Sequence, residues 1–158
     1  MRRIVPLLTA LAGLPALAAC VAVVPYTAAS APTEPIQQWE MEQWQSPRFD
    51  VLRHRMPLYA RDVTFAMLNS TARVSAAERD ALAEWAEIQL EAQRRALDAA
   101  WVTEPPEMVA LGEAARSRYT TNLLEVYNGV VTWGEFNRRT LIISAEFQNA
   151  LAQVRALR

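Results

Sequence analysis

Residues 75–101, SAAERDALAEWAEIQLEAQRRALDAAW, decide the fold, because they predict one long helix with a single buried face. Ser75 and Glu78 have the spacing of a capping box, in which each side chain accepts a hydrogen bond from the other residue's backbone N–H. No Gly or Pro follows before Trp101. Apolar residues recur every three or four positions, at Ala81, Trp85, Ile88, Ala92, Ala96 and Ala99. Such a helix must pack against other elements.

A second long helix is predicted downstream. Pro106 suits a first helical turn, and Asn128-Gly129 supplies a left-handed stop. Between them lies an apolar stripe made of Met108, Leu111, Ala115, Tyr119, Leu123 and Val126.

A third long helix is predicted to follow residue 132. Thr132 and Glu135 repeat the capping-box spacing, and Val131 and Phe136 stand where a hydrophobic staple requires them. The apolar positions then alternate steps of three and four, as in a heptad seam: Trp133, Phe136, Thr140, Ile143, Phe147, Ala150, Val154 and Leu157.

Shorter elements are predicted before residue 75. Residues 36–45 form a short amphipathic helix that Ser46-Pro47 interrupts, because the residue before Pro avoids helical geometry. Residues 57–68 read as a helix with Pro57 in its first turn. The inner face of that helix would be Leu58, Tyr59, Val63, Ala66 and Met67.

The fold class expected is therefore all-α. No segment reads as a strand, and the connections between the long helices are short, which favours antiparallel neighbours. The sequence predicts a small antiparallel bundle of three long helices plus one or two short ones, behind a signal peptide and a flexible tether.

Residues 1–20, MRRIVPLLTALAGLPALAAC, have the pattern of a secretory signal peptide. Two Arg residues precede an apolar run over residues 4–14, and small residues lead to Cys20. The alternative is an uncleaved membrane anchor over residues 4–25, which is near the roughly 20 residues that span a bilayer. Pro6, Gly13 and Pro15 interrupt that run, and no basic cluster follows it.

The ending Leu17-Ala18-Ala19-Cys20 resembles the lipobox of bacterial lipoproteins. The resemblance implies a diacylglycerol on the Cys20 thiol, cleavage before this residue and acylation of the new N-terminus. It also implies a lipid-anchored protein of the bacterial cell envelope that faces the periplasm. Val21 is not the Asp that retains some lipoproteins at the inner membrane, so the outer membrane is favoured.

The sequence is predicted to divide into three regions. Residues 1–19 are the signal peptide, residues 20–35 are the lipidated Cys and a tether rich in Ala, Ser, Thr and Pro, and residues 36–158 are the helical bundle. Cys20 is the only cysteine, so the domain has no internal disulfide. Loss of Arg2 and Arg3 with the signal would leave 14 Arg against 17 acidic residues, a net charge of −3 that disfavours nucleic acid as a partner.

The sequence contains few residues that suggest an active site. His54 is the only histidine, and Asp50 would lie one helical turn before it, so a hydrolase would have to use this pair. No nucleophile motif accompanies them. Glu84, Glu87 and Glu91 share one face, but carboxylates at this spacing usually meet solvent. We therefore expect no enzyme activity, no metal and no cofactor.

We expect the protein to be a non-catalytic interaction or structural module with an envelope protein as its partner. Its oligomeric state is left open. The predicted partner surface comprises Trp39, Trp44, Arg138 and Arg139; the two Trp residues could instead pack as a lid or rest at the lipid interface. Residues 129–139, GVVTWGEFNRR, are similar to the turn of SHOCT-type helical hairpins, which implies an interaction role. Hydrolase activity through Asp50 and His54, or binding of a small apolar ligand, are the alternatives.

Overall fold

The computed structural model describes residues 34–157, and every regular element in this range is helical. The predicted signal peptide, Cys20 and nearly all of the predicted tether lie outside the described residues. The α-helices are α1 (Glu34–Trp44), α2 (Asp50–Arg53), α3 (Phe65–Leu68), α4 (Ala76–Thr103), α5 (Pro106–Tyr127) and α6 (Trp133–Ala156). Two 3₁₀ turns, Pro47–Phe49 and Ala60–Asp62, join the short helices.

The three long helices form an antiparallel series, as predicted. α5 packs along both α4 and α6, whereas α4 and α6 scarcely touch each other. The short elements between α1 and α4 fill part of the resulting gap, because α2 packs on α4 and α3 packs on α6. The all-α expectation is confirmed.

The hydrophobic core lies at the end of the bundle where α4 and α6 begin. Trp85, Trp133 and Phe136 are its largest members from the long helices, and Phe49 and Leu52 enter from the short elements. The predicted seam of α6 is buried at its start and does not reach Leu157, whose side chain is exposed.

The start of α4 is a capping box, as the sequence predicts. The Glu78 backbone N–H donates to Ser75 Oγ at 3.3 Å, and the Ser75 N–H donates to Glu78 Oε2 at 2.8 Å. Glu78 also accepts a hydrogen bond from Arg55 Nε at 2.5 Å, so the cap ties α4 to the chain that follows α2.

The start of α6 is only half of the capping box that the spacing predicts. Thr132 Oγ1 accepts from the Glu135 N–H at 3.2 Å. The Glu135 carboxylate pairs instead with Arg138 and Arg139, each at 2.8 Å, and this part of the prediction is wrong. Two guanidinium groups on the same helix face compete better for the carboxylate than one backbone N–H does.

Residues 57–68 do not form the continuous helix predicted for them. Within this segment only α3, at its end, is an α-helix. Thr64 Oγ1 caps α3 by accepting a hydrogen bond from the Met67 N–H at 3.2 Å. Asn137 Nδ2 of α6 donates to the carbonyl oxygens of Arg55, at 2.7 Å, and Met67, at 3.3 Å. These tertiary hydrogen bonds hold the segment in a bent path, and none of the predicted inner-face residues is fully buried.

Among residues 34–157, no helix is both long and apolar enough to cross a lipid bilayer.

Candidate functional site

An open groove lies between α4 and α6, in the half of the bundle away from the core, with α5 as its floor. Its cavity volume is about 250 Å³. The groove exists because α4 and α6 diverge over α5, while α2 and α3 fill the gap only near the core. Its lining consists of Gln93, Leu97, Gly112, Ala115, Arg116, Tyr119, Thr140, Ile143, Ser144 and Phe147.

The walls of the groove are mainly apolar. Leu97 of α4 faces Ile143 and Phe147 of α6 across Ala115 of α5. Gly112 belongs to the same floor, and a Cβ at this position would lie 3.0 Å from Leu97 Cδ2. The absence of a side chain at Gly112 therefore lets Leu97 lie directly against the α5 backbone.

A chain of polar groups, of which Gln89 is buried and Glu40 and Tyr119 are half-buried, borders the groove at its inner end. The Tyr119 hydroxyl donates to Gln89 Oε1, and Gln89 Nε2 donates to Glu40 Oε1 at 3.1 Å. Burial raises the pKa of Glu40, and the hydrogen bond from Gln89 only partly opposes this change. Burial is the main reason that the pKa of Tyr119 is raised, and the negative charge of Glu40 raises it further. These links connect α1, α4 and α5.

One polar atom beside the groove lacks a partner. Gln93 Oε1 is buried and accepts no hydrogen bond from the described part of the protein. A buried acceptor without a donor costs about 1–3 kcal/mol. Because this oxygen is closed to solvent, a donor from a bound molecule would reach it only after the Gln93 side chain turns towards the groove.

Asp50 and His54 are not arranged as an acid–base pair. The Asp50 carboxylate pairs with Arg53, and His54 is exposed just after the end of α2. No hydrogen bond joins the two side chains within the described residues. The hydrolase alternative therefore gains no geometric support.

Two of the three acidic side chains on the shared face of α4 form ion pairs with arginines. Glu91 pairs with Arg94 and Arg95, and Glu84 lies 3.4 Å from Arg48. Across residues 34–157, no group of three or more His, Cys, Asp or Glu side chains is placed to hold a metal ion.

Trp44 belongs to the core, so its assignment to a partner surface is wrong. Its side chain is 8% exposed, and its ring centroid lies 4.5 Å from that of Trp85 and 6.0 Å from that of Phe49. Aromatic packing of this kind favours the lid interpretation for Trp44. Trp39 is half-buried, with the Arg95 guanidinium 4.8 Å from its ring centroid.

Arg138 and Arg139 lie at the start of α6, away from the groove, and are already bound within the protein. Arg138 donates to the Leu68 carbonyl oxygen at 2.5 Å, and Arg139 pairs with Glu125 of α5. Both arginines also hold Glu135. Their first role is to fix α6 against its neighbours.

The groove was not predicted from the sequence, although five of its residues belong to predicted apolar stripes: Ala115, Tyr119, Thr140, Ile143 and Phe147. Gln93 and Leu97 lie outside the stripe predicted for the first long helix. The available signal was Gly112, a glycine inside an otherwise helical pattern, which usually marks a close approach.

No protein-family model, no curated protein and no solved structure matches this chain. The lipobox and the SHOCT-like turn accordingly stay predictions from the residues alone.

Proposed function

We propose that this chain is a lipid-anchored protein of the bacterial cell envelope and that its periplasm-facing bundle is a non-catalytic interaction module. The groove between α4 and α6 binds an apolar segment of an envelope protein. The observation that supports this function is an open, mainly apolar groove bordered by three long helices.

The size of the groove favours side chains of a partner over a whole small molecule. Sites for drug-sized ligands typically have volumes of about 300–1,000 Å³, and this one has about 250 Å³. A partner helix would place two or three apolar side chains between Leu97 and Phe147, in the manner of helix-in-groove recognition. Its backbone would stay outside the groove.

The anchor is the second part of the proposal. The lipobox resemblance places lipid on Cys20, and one acyl chain alone gives only marginal membrane binding of about 10⁴ M⁻¹. The two or three chains that the resemblance implies would hold the protein durably, and Val21 favours the outer membrane.

Binding of a small apolar ligand is the second candidate function. The observation that favours it is Gln93 Oε1, a buried acceptor that lacks a donor within the described residues. The ligand would be a compact apolar molecule with one hydroxyl or N–H group that pairs with this oxygen once the Gln93 side chain turns towards the groove.

Lipid labelling tests the anchor. Cells that express the full chain are fed a labelled fatty acid, and the purified protein is examined for the label. The parent should incorporate it, and Cys20→Ser should not. Equal labelling of the two proteins would contradict the lipoprotein assignment.

Photo-crosslinking in intact cells tests the groove. A photo-reactive residue at Ser144 projects into the groove, and the same residue at Ala145, exposed on the next position of α6, is the matched control. Only position 144 should yield a specific protein adduct. A small-molecule adduct at 144 would favour the second candidate, and equal yields at both positions would contradict a groove-directed partner.

A further inference from the structure

The end of α4 carries an exposed apolar tip. The Trp101 side chain is 59% exposed and that of Val102 is 86% exposed. Leu157, which is 88% exposed, follows the end of α6. The three residues, here called the tip, share one end of the bundle, because α4 and α6 are both antiparallel to α5 and end beside its start.

The direction of α1 shows at which end of the bundle the described chain begins. Trp44 packs on Trp85, and Glu40 binds Gln89, four residues further along α4. Residue numbers therefore fall along α1 as they rise along α4, and the two helices are antiparallel. Trp39 continues this order by lying against Arg95.

The start of α1 lies close to the level of the tip. Glu34 precedes Trp39 by five residues, which correspond to about 7.5 Å along a helix. Trp101 follows Arg95 by six residues, or about 9 Å in the same direction. Glu34, where the described chain begins, thus lies at the end of the bundle that carries the tip.

We propose that the tip rests on the surface of the lipid bilayer in which Cys20 is anchored. This inference depends on the lipid anchor of the proposed function. The 14 chain steps from Cys20 to Glu34 span at most about 50 Å, which is ample for the tip to reach the surface. Trp is enriched at the membrane–water interface because its ring is apolar and its N–H is polar.

The tip is apolar in its own residues. The last turn of α4 has no basic residue and Glu104 follows it directly, whereas the last turn of α6 carries Arg155 close to Leu157. Phosphatidylcholine is zwitterionic and has no net charge, so contact with its acyl chains isolates the apolar part of the interaction. This contact should not weaken between 0.1 and 1 M salt, because salt screens interactions between charges.

Fluorescence quenching by brominated lipid tests the contact. The full chain, purified from the membranes of expressing bacteria, is reconstituted into phosphatidylcholine vesicles with brominated acyl chains. Quenching of tryptophan emission should fall at least twofold in Trp101→Phe. It should be unchanged in Trp39→Phe, since Trp39 is half-buried under Arg95. Equal quenching in the parent and Trp101→Phe would overturn the proposal.

A second pair of variants keeps Trp101 in place. Val102→Asp adds a charge to the tip and should reduce quenching, whereas Val130→Asp, 63% exposed at the opposite end of the bundle, should not. Flotation of the vesicles reports the anchor separately. If the protein floats with the vesicles but Trp101 is not quenched, the proposed contact of the tip with the bilayer is refuted and the anchor stands. If the protein does not float, both the anchor and the contact of the tip are refuted.

Discussion

The backbone of Gly134 lies directly against that of Ser70. The Gly134 N–H donates to the Ser70 carbonyl oxygen at 3.0 Å, and a Cβ on Gly134 would come within 2.5 Å of the same oxygen. The neighbouring Trp133 N–H donates to the Ala72 carbonyl oxygen at 2.9 Å. The first N–H groups of a helix have no partner within it, so this segment satisfies them and fixes where α6 begins.

Gly134→Ala should therefore destabilise the protein strongly. The new methyl group cannot fit between the two backbones, so the start of α6 must move away from Ser70 and weaken its hydrogen bond. Overpacking of this kind typically costs about 1–3 kcal/mol, and we expect the upper end of that range. Urea unfolding of the full chain, followed by far-ultraviolet circular dichroism, measures the change.

Gly112→Ala is the matched control. Its Cβ would also be crowded, at 3.0 Å, but the neighbour is the end of the flexible Leu97 side chain. Ala also gains about 1 kcal/mol of helix propensity over Gly, so the net change should stay within about 1 kcal/mol of zero. Equal costs at positions 112 and 134 would show that α6 does not lie against Ser70 as described.

The sequence predicted the elements whose determinants are local. The capping box of Ser75 and Glu78, the absence of helix breakers up to Trp101 and the stop at Asn128-Gly129 each act within a few residues. Gly129 has the positive φ of 68° that the stop requires. Periodicity then identified the faces that pack, including Trp85 and Phe136.

The remaining features depend on contacts between distant residues. Asn137 hydrogen-bonds carbonyl groups that are 70 and 82 residues away in the sequence, and it holds residues 57–68 in a non-helical path. No local pattern reports such a contact. The groove was missed for a similar reason, because it results from the divergence of α4 and α6 over α5.

Thr132→Ala tests the half cap of α6. Removal of the hydroxyl leaves the Glu135 N–H without its acceptor, and the loss of such an N-cap costs about 1 kcal/mol. Glu135→Ala should cost about 0.5 kcal/mol or less, because the ion pairs of Glu135 with Arg138 and Arg139 are largely exposed. Thermal unfolding of both variants measures the two effects. Equal losses would indicate that the Glu135 side chain also accepts from the Thr132 N–H, as in a complete capping box.

Glu78 should make the protein sensitive to acid. Burial alone would raise the pKa of this carboxyl group, but hydrogen bonds from the Ser75 N–H and Arg55 outweigh burial and lower the pKa below 4.5. A lowered pKa in the folded state gives a stabilisation that is complete above pH 4.5 and is lost as the pH falls through the folded value. Glu78→Gln should therefore melt well below the parent at pH 7, with a gap that narrows towards pH 3. A gap that is constant with pH would contradict this assignment.

Glu40 should have the opposite dependence on pH. Burial raises its pKa above 4.5, despite the hydrogen bond from Gln89, so its contribution to stability is present below pH 4.5 and is lost as the pH rises through the folded value. Glu40→Gln removes the charge and keeps an oxygen that can accept from Gln89 Nε2. Its melting temperature should exceed that of the parent at pH 7 and match it near pH 4.

Glu42→Gln is the matched control for Glu40→Gln, because Glu42 is exposed on the same helix and accepts only from Gln38 within the described residues, at 3.1 Å. It should leave the melting temperature nearly unchanged at both pH values. A Glu40→Gln protein that is less stable than the parent at pH 7 would mean that the charge of Glu40 stabilises the hydrogen bonds that link it through Gln89 to Tyr119. In that case the inner end of the groove would depend on an ionised Glu40, and crosslinking from position 144 should fall in the same variant.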